Sequence, residues 1–138
     1  MSGLSSPSTT RPSLPAERFE ELAGPGLRTF FRIARAWNLD TREAMTLLGL
    51  DAESTFFKWK REPDRARLGR DALERISYVL GIYKALHILF PRPETADAWV
   101  RKPDTAFAGR SALDRMTRGS IVDLHAVRSY LDAERGWN

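Results

Sequence analysis

The chain has 138 residues, room for one compact domain or two very small modules sharing a core. Its 42% hydrophobic and 29% charged residues are those of an ordinary soluble globular protein, and the absence of cysteine removes disulfides, thiol nucleophiles and zinc-finger spacings. The net charge of +4 favours a polyanion without demanding one, because residues 1–67 and 68–138 each hold 11 basic and 9 acidic side chains.

No apolar run approaches the roughly 18 residues of a membrane span, so no membrane partner is expected and the cytoplasm is the default. Residues 1–15, MSGLSSPSTTRPSLP, lack the basic start and apolar stretch of a secretory signal and read as a disordered tail. No stretch sustains period-two alternation, which predicts an all-α chain. A short helix from about Ala16 to Ala23 is expected to stop at Gly24-Pro25-Gly26. A second, Leu27 to Trp37, carries Leu27, Phe30, Phe31, Ala34 and Trp37 as an apolar stripe. Asp40 and Glu43 form a capping pattern for a helix to Leu48, ended by Gly49. Asp51 is placed to cap a helix from Ala52 to about Glu62.

The longest element is expected from Leu68 to Phe90, where Gly81 marks either a weak point or the close approach of another backbone. Pro93 to Val100 should form a helix carrying Ala96 and Trp99. In FAGRSALDRMTRGS, Phe107 to Ser120, Ser111 and Ser120 each begin an S-x-x-D pattern, so both read as helix caps rather than nucleophiles. Gly119 is expected to supply the left-handed residue that stops one helix as the next begins. The last helix, Ser120 to about Ala133, aligns Leu124, Val127 and Leu131.

Little points to catalysis. His87 and His125 have no second ligand at helical spacing and read as structural residues, so no metal or cofactor is expected. Walker, Rossmann and nucleophile-elbow patterns do not occur. Arg110 and Ser111 as an anion site remain the one enzymatic possibility, and the chain is expected not to be an enzyme.

Thr41 to Glu62 has the layout of a helix-turn-helix, two short helices around a Gly-containing turn in about 20 residues. Its second helix would offer Glu53, Ser54, Thr55 and Lys58 to base edges, with Lys60 and Arg61 nearer the phosphates and Phe56 and Trp59 facing the core. Met45, where such pairs usually carry Ala, can open the crossing angle, and a hairpin that packs without binding DNA is the alternative. Arg65, Arg67 and Arg70 read either as further phosphate contacts or as a solvated face balanced by Glu62, Asp64, Asp71 and Glu74.

The run EAMTLLGLDAESTFFKWKR, the helix ending ALHILF, and ADAWVRKPDTAFAGRSALDRMTRGSIVDLHAVRSYL together resemble the Xre/MbcA/ParS family of antitoxins. The last third carries the resemblance through Trp99, Pro103-Asp104, Phe107, Gly109, Ser111, Leu113 and Gly119, with Ala112 where the family often has Pro. The resemblance implies a helix-turn-helix-like N-terminal region, here residues 16–67, and a small helical toxin-binding and dimerisation domain, residues 68–138. It also implies a type II antitoxin whose partner is a RES-domain toxin acting on NAD, whose NAD cleft is blocked by the antitoxin's C-terminal end, and often repression of its own operon. The segment Arg135-Gly136-Trp137-Asn138 would form that plug, an aromatic ring and the terminal carboxylate standing in for a base and a phosphate. Trp137 folding back on its own domain is the alternative. Arg110, Arg115 and Arg118 are rim candidates for the toxin interface. Phe30, Phe31 and Gly81 suggest a homodimer, and a hetero-oligomer with toxin. A free-standing helix-turn-helix regulator of transcription, its second half only dimerising, is the competing reading.

Overall fold

Helix α1 (Ala16–Ala36) runs unbroken through Pro25, where the sequence predicted a stop. A computed structural model describes residues 16–136, with side chains from Ala23 onward, so the expected tail and the pair Trp137–Asn138 lie outside the described residues. Proline disfavours a helical predecessor chiefly through that residue's Cβ, and here the predecessor is Gly24. Pro25 itself is exposed. Packing then outweighs local propensity, because Leu27, Phe30, Ile33, Ala34 and Trp37 are all buried against the rest of the chain.

Helix α2 (Thr41–Leu48) begins with the expected capping box: the Glu43 N–H donates to Asp40 at 2.7 Å and the Asp40 N–H donates to Glu43 at 2.9 Å. It ends at Gly49, whose φ of 75° lies in the left-handed region that favours glycine. Helix α3 (Glu53–Arg61) starts one residue later than predicted. Ala52, not Asp51, is its N-cap, and no side chain caps it. Met45 is accommodated inside the core, as are Phe56 and Trp59. A single 3-10 turn, Pro63–Arg65, packs against α1, where Arg28 pairs with Asp64.

Helix α4 (Arg70–Leu89) is the centre of the fold, with α1 on one side and α7 (Ile121–Glu134) on another. Ile76, Val79, Ile82, Ala85 and Leu86 are buried along it. Over Gly81 lies the Arg128 guanidinium rather than a backbone, in the space a Cβ would need. Arg128 is in turn held by Asp132 at 3.2 Å. Helix α5 (Pro93–Ala98) is shorter than expected, its last turn tightening into a 3-10 turn at Trp99–Arg101. Helix α6 (Ala112–Met116) and α7 follow, and one continuous core runs from Leu27 to Leu131. Strand structure among the described residues amounts to an isolated bridge between Pro103 and Ser111.

Two arginines tie the first half of the chain to the second. Arg75 donates to the Asp71 carboxylate at 2.8 Å, to the Thr46 carbonyl at the end of α2 at 3.3 Å, and to the Gly119 carbonyl between α6 and α7 at 3.0 Å. Arg101 donates to the carbonyls of Trp37 at 3.2 Å and Asn38 at 2.7 Å, and reaches Glu43 at 3.3 Å. No helix among the described residues is long and apolar enough to cross a membrane.

Candidate functional site

The joint from Asp104 to Ser120 is built by local chemistry. Asp104 accepts from the Ala106 N–H at 2.8 Å, and Ala108 and Gly109 follow with φ of 58° and 81°, which turns the chain back toward α6. Buried Phe107 anchors the loop, packing edge-on against Trp99 and Tyr130, which stack on each other. Ser111 and Ser120 both form capping boxes with Asp114 and Asp123, as the sequence predicted. Gly119 takes a φ of 102°, but α6 has already ended at Met116 with Thr117 as its C-cap, so Gly119 serves only the entry to α7.

This joint gathers Arg110, Arg115 and Arg118 around one recess of about 140 Å³, together with Phe107, Ser111 and Asp114. The three arginines differ in how far the chain commits them. Arg115 donates to Asp123 at 2.7 Å and locks α6 to α7, while exposed Arg110 stands 3.8 Å from Asp114. Arg118 is exposed and makes no ion pair among the described residues. The Ser111 backbone N–H, helped by the Ser111 hydroxyl and the Arg110 guanidinium, holds the Asp114 carboxyl below its ordinary value of 3.8. A depressed carboxylate contributes stability that is complete above that ordinary value and is lost as pH falls through the lowered one. The cap therefore persists at neutral pH. Replacing Ser111 with Ala is expected to lower unfolding stability by about 1 kcal/mol, measured in urea, without changing partner binding. A loss of function at intact stability would revive Ser111 as a chemical group.

At the C-terminal end, α7 closes on Arg135 and Gly136, the latter exposed with a φ of 84°. The Arg135 side chain is 8% exposed and lies 3.8 Å from Asp132, one turn earlier on α7. Trp137 and Asn138, also expected at the interface, lie outside the described residues.

The expected base-reading helix is presented to solvent along one side. Ser54, Lys58, Lys60 and Arg61 are exposed and Thr55 is half-buried. Thr55 and Lys58 share a recess with Arg65 and Arg67, whereas Lys60 lines a separate one with Arg35 and Asn38. Of the four acids expected to balance this region, Asp64 pairs with Arg28 and Asp71 with Arg75, while Glu62 lines the recess beside Lys58, Arg65 and Arg67. Lys58, Lys60, Arg61, Arg65 and Arg67 form no ion pair among the described residues, so around α3 these five cations outnumber the exposed acids Glu53 and Glu62. The sequence reading missed Phe57 on this helix, which is 38% exposed; it follows Phe56 in an apolar pair, and only the buried orientation of Phe56 and Trp59 reveals that Phe57 points outward.

His87 is bonded to Asp97 at 2.9 Å and joins α5 to α4, while His125 bridges Tyr78 and Ser129 at 3.1 and 3.2 Å. Among the described residues no group of three His, Cys, Asp or Glu could hold a metal ion.

Fold and surfaces together define a helix-turn-helix joined to a small helical interaction domain. Residues 20–81 match the antitoxin Xre-like helix-turn-helix domain family, and residues 85–136 match the antitoxin Xre/MbcA/ParS C-terminal toxin-binding domain family. The chain is also 47% identical over 132 residues to the uncharacterized protein y4oB of Sinorhizobium fredii (strain NBRC 101917 / NGR234), covering 96% of this chain and 94% of that one. The chain belongs to the Xre/MbcA/ParS-type antitoxins, and the pairing of the two domains is that of a type II antitoxin.

Proposed function

We propose that the protein neutralises a RES-domain toxin, an enzyme that consumes NAD or transfers its ADP-ribose, by docking the joint between α6 and α7 at the toxin's surface and its C-terminal end in the NAD cleft. The observation that carries this reading is the convergence of Arg110, Arg115 and Arg118 on one recess within the toxin-binding family segment, with Arg118 unpaired among the described residues. Gly136 supports the plug, since its left-handed backbone ends α7 just before Trp137, a rigid aromatic able to take the place of a nucleotide base. Arg135 belongs to the proposed contact through the backbone it positions, its side chain being paired with Asp132.

The test is affinity capture of the tagged protein from its native cells, followed by mass spectrometry of what elutes at matching stoichiometry. A RES-type partner supports the reading; a clean preparation with no partner sinks it. The same eluate reports assembly. Phe30 and Gly81, which suggested a homodimer, are satisfied within the chain by the core and by Arg128, so the proposed homodimer now rests on exposed Ile88 and Val122.

A second activity, repression of its own operon from the cytoplasm, is favoured by the unpaired cations around α3. It also covers the alternative of a free-standing transcriptional regulator, which differs in having no stoichiometric protein partner. Lys58→Ala and Lys60→Ala are each expected to weaken operator binding and to lower the slope of log affinity against log salt by about 1. An unchanged slope in both would remove these lysines from the DNA contact.

A further inference from the structure

Helix α3 turns Phe56 and Trp59 into the core and leaves Phe57 on the solvent side. Helical spacing puts Phe57 on the side that carries Ser54, Lys60 and Arg61, three, three and four residues away. Phe57 thus sets one apolar ring among cations that suit an anionic partner. It is also braced from within. Phe57 packs edge-to-face on Phe56 with ring centres 5.2 Å apart, Phe56 packs the same way on Phe31 at 5.5 Å, and Phe31 on Phe30 at 5.5 Å. Phe30 is fully buried, so a row of four rings runs from the core of α1 to the outer face of α3. A ring held in this way loses little freedom on binding.

A partner that fits this face is negatively charged around the ring and apolar where the ring touches it. The major groove of DNA meets both conditions: phosphates line its edges, and the one apolar group on its floor is the C5 methyl of thymine. We propose that Phe57 contacts a thymine C5 methyl in the operator and so sets specificity at that position, while Lys58, Lys60 and Arg61 hold the phosphates. This rests on the reading of α2 and α3 as a DNA-binding helix-turn-helix.

The experiment uses the full chain and a footprinted fragment of its own promoter, in which each thymine is replaced in turn by deoxyuridine. Deoxyuridine keeps the hydrogen-bonding edge and lacks only the methyl. One such replacement is expected to weaken wild-type binding by about five- to tenfold. Phe57→Ala, its fold checked by circular dichroism, should bind the thymine site more weakly by a similar factor and no longer distinguish thymine from deoxyuridine there. If no replacement matters, or Phe57→Ala stays as sensitive as wild type, the proposal is overturned. Wild-type binding that remains salt-dependent in that case keeps the DNA-binding reading intact. Wild type that binds no promoter DNA overturns both, and unchanged DNA binding with lost capture of a protein partner would reassign Phe57 to that partner.

Discussion

Truncation after Gly136 is expected to abolish toxin neutralisation, weakening the antitoxin–toxin complex by 100-fold or more, while the fold and operator binding survive. Buried aromatic anchors carry the largest share of interface energy, about 2–4 kcal/mol for a Trp that fills a pocket. The structure shows where to cut. Arg135 pairs with Asp132, which also holds Arg128 over Gly81, so removing Arg135 disturbs the packing of α7 on α4 as well as any plug. Ending the chain after Gly136 leaves that brace in place. Toxin inhibition and urea unfolding measured on the same variant separate the two effects. Full neutralisation by the truncated chain would remove the plug while leaving the antitoxin identity untouched.

Arg75→Ala is expected to cost about 1–3 kcal/mol of stability, because its guanidinium joins the end of α2 to the turn before α7. The side chain is 11% exposed and bonds to two part-buried carbonyls, that of Gly119 and that of Thr46, which also accepts from the Gly49 N–H. Its carboxylate partner matters less. Asp71 is 64% exposed, and an exposed ion pair contributes little, so Asp71→Ala should cost well under 1 kcal/mol. Chemical denaturation of the two variants checks the contrast. Equal losses would mean that the ion pair, not the carbonyl contacts, holds the two halves together.

Features that depend on a few neighbouring residues were legible in the sequence. The capping boxes at Asp40, Ser111 and Ser120 follow from side chains reaching their own helix starts, and all three are present. The three arginines of the recess were legible for the same reason, since Arg110 to Arg118 lie within one short joint. What escaped depends on the rest of the molecule. Gly24-Pro25-Gly26 reads as a break, yet α1 passes through it because the buried face from Leu27 to Trp37 rests on α4. Asp51 reads as a cap, but the helix starts after Ala52. Arg75 and Arg101 look like ordinary surface arginines until their partners, 44 and 64 residues away at the farthest, are placed beside them. The sequence named the lysines of α3 and overlooked Phe57, whose meaning appears only when its neighbours are seen to be buried.

One family segment ends at residue 81 and the other begins at residue 85, both inside the unbroken α4, so no linker separates the helix-turn-helix domain from the toxin-binding domain. Their relative orientation is therefore a rotational phase, set by counting residues along one helix. Each residue of helix turns its end by about 100° and advances it about 1.5 Å. On the proposed function, a toxin seated on the joint between α6 and α7 takes a fixed bearing from the operator, its distance and angle from the DNA axis written into the length of α4.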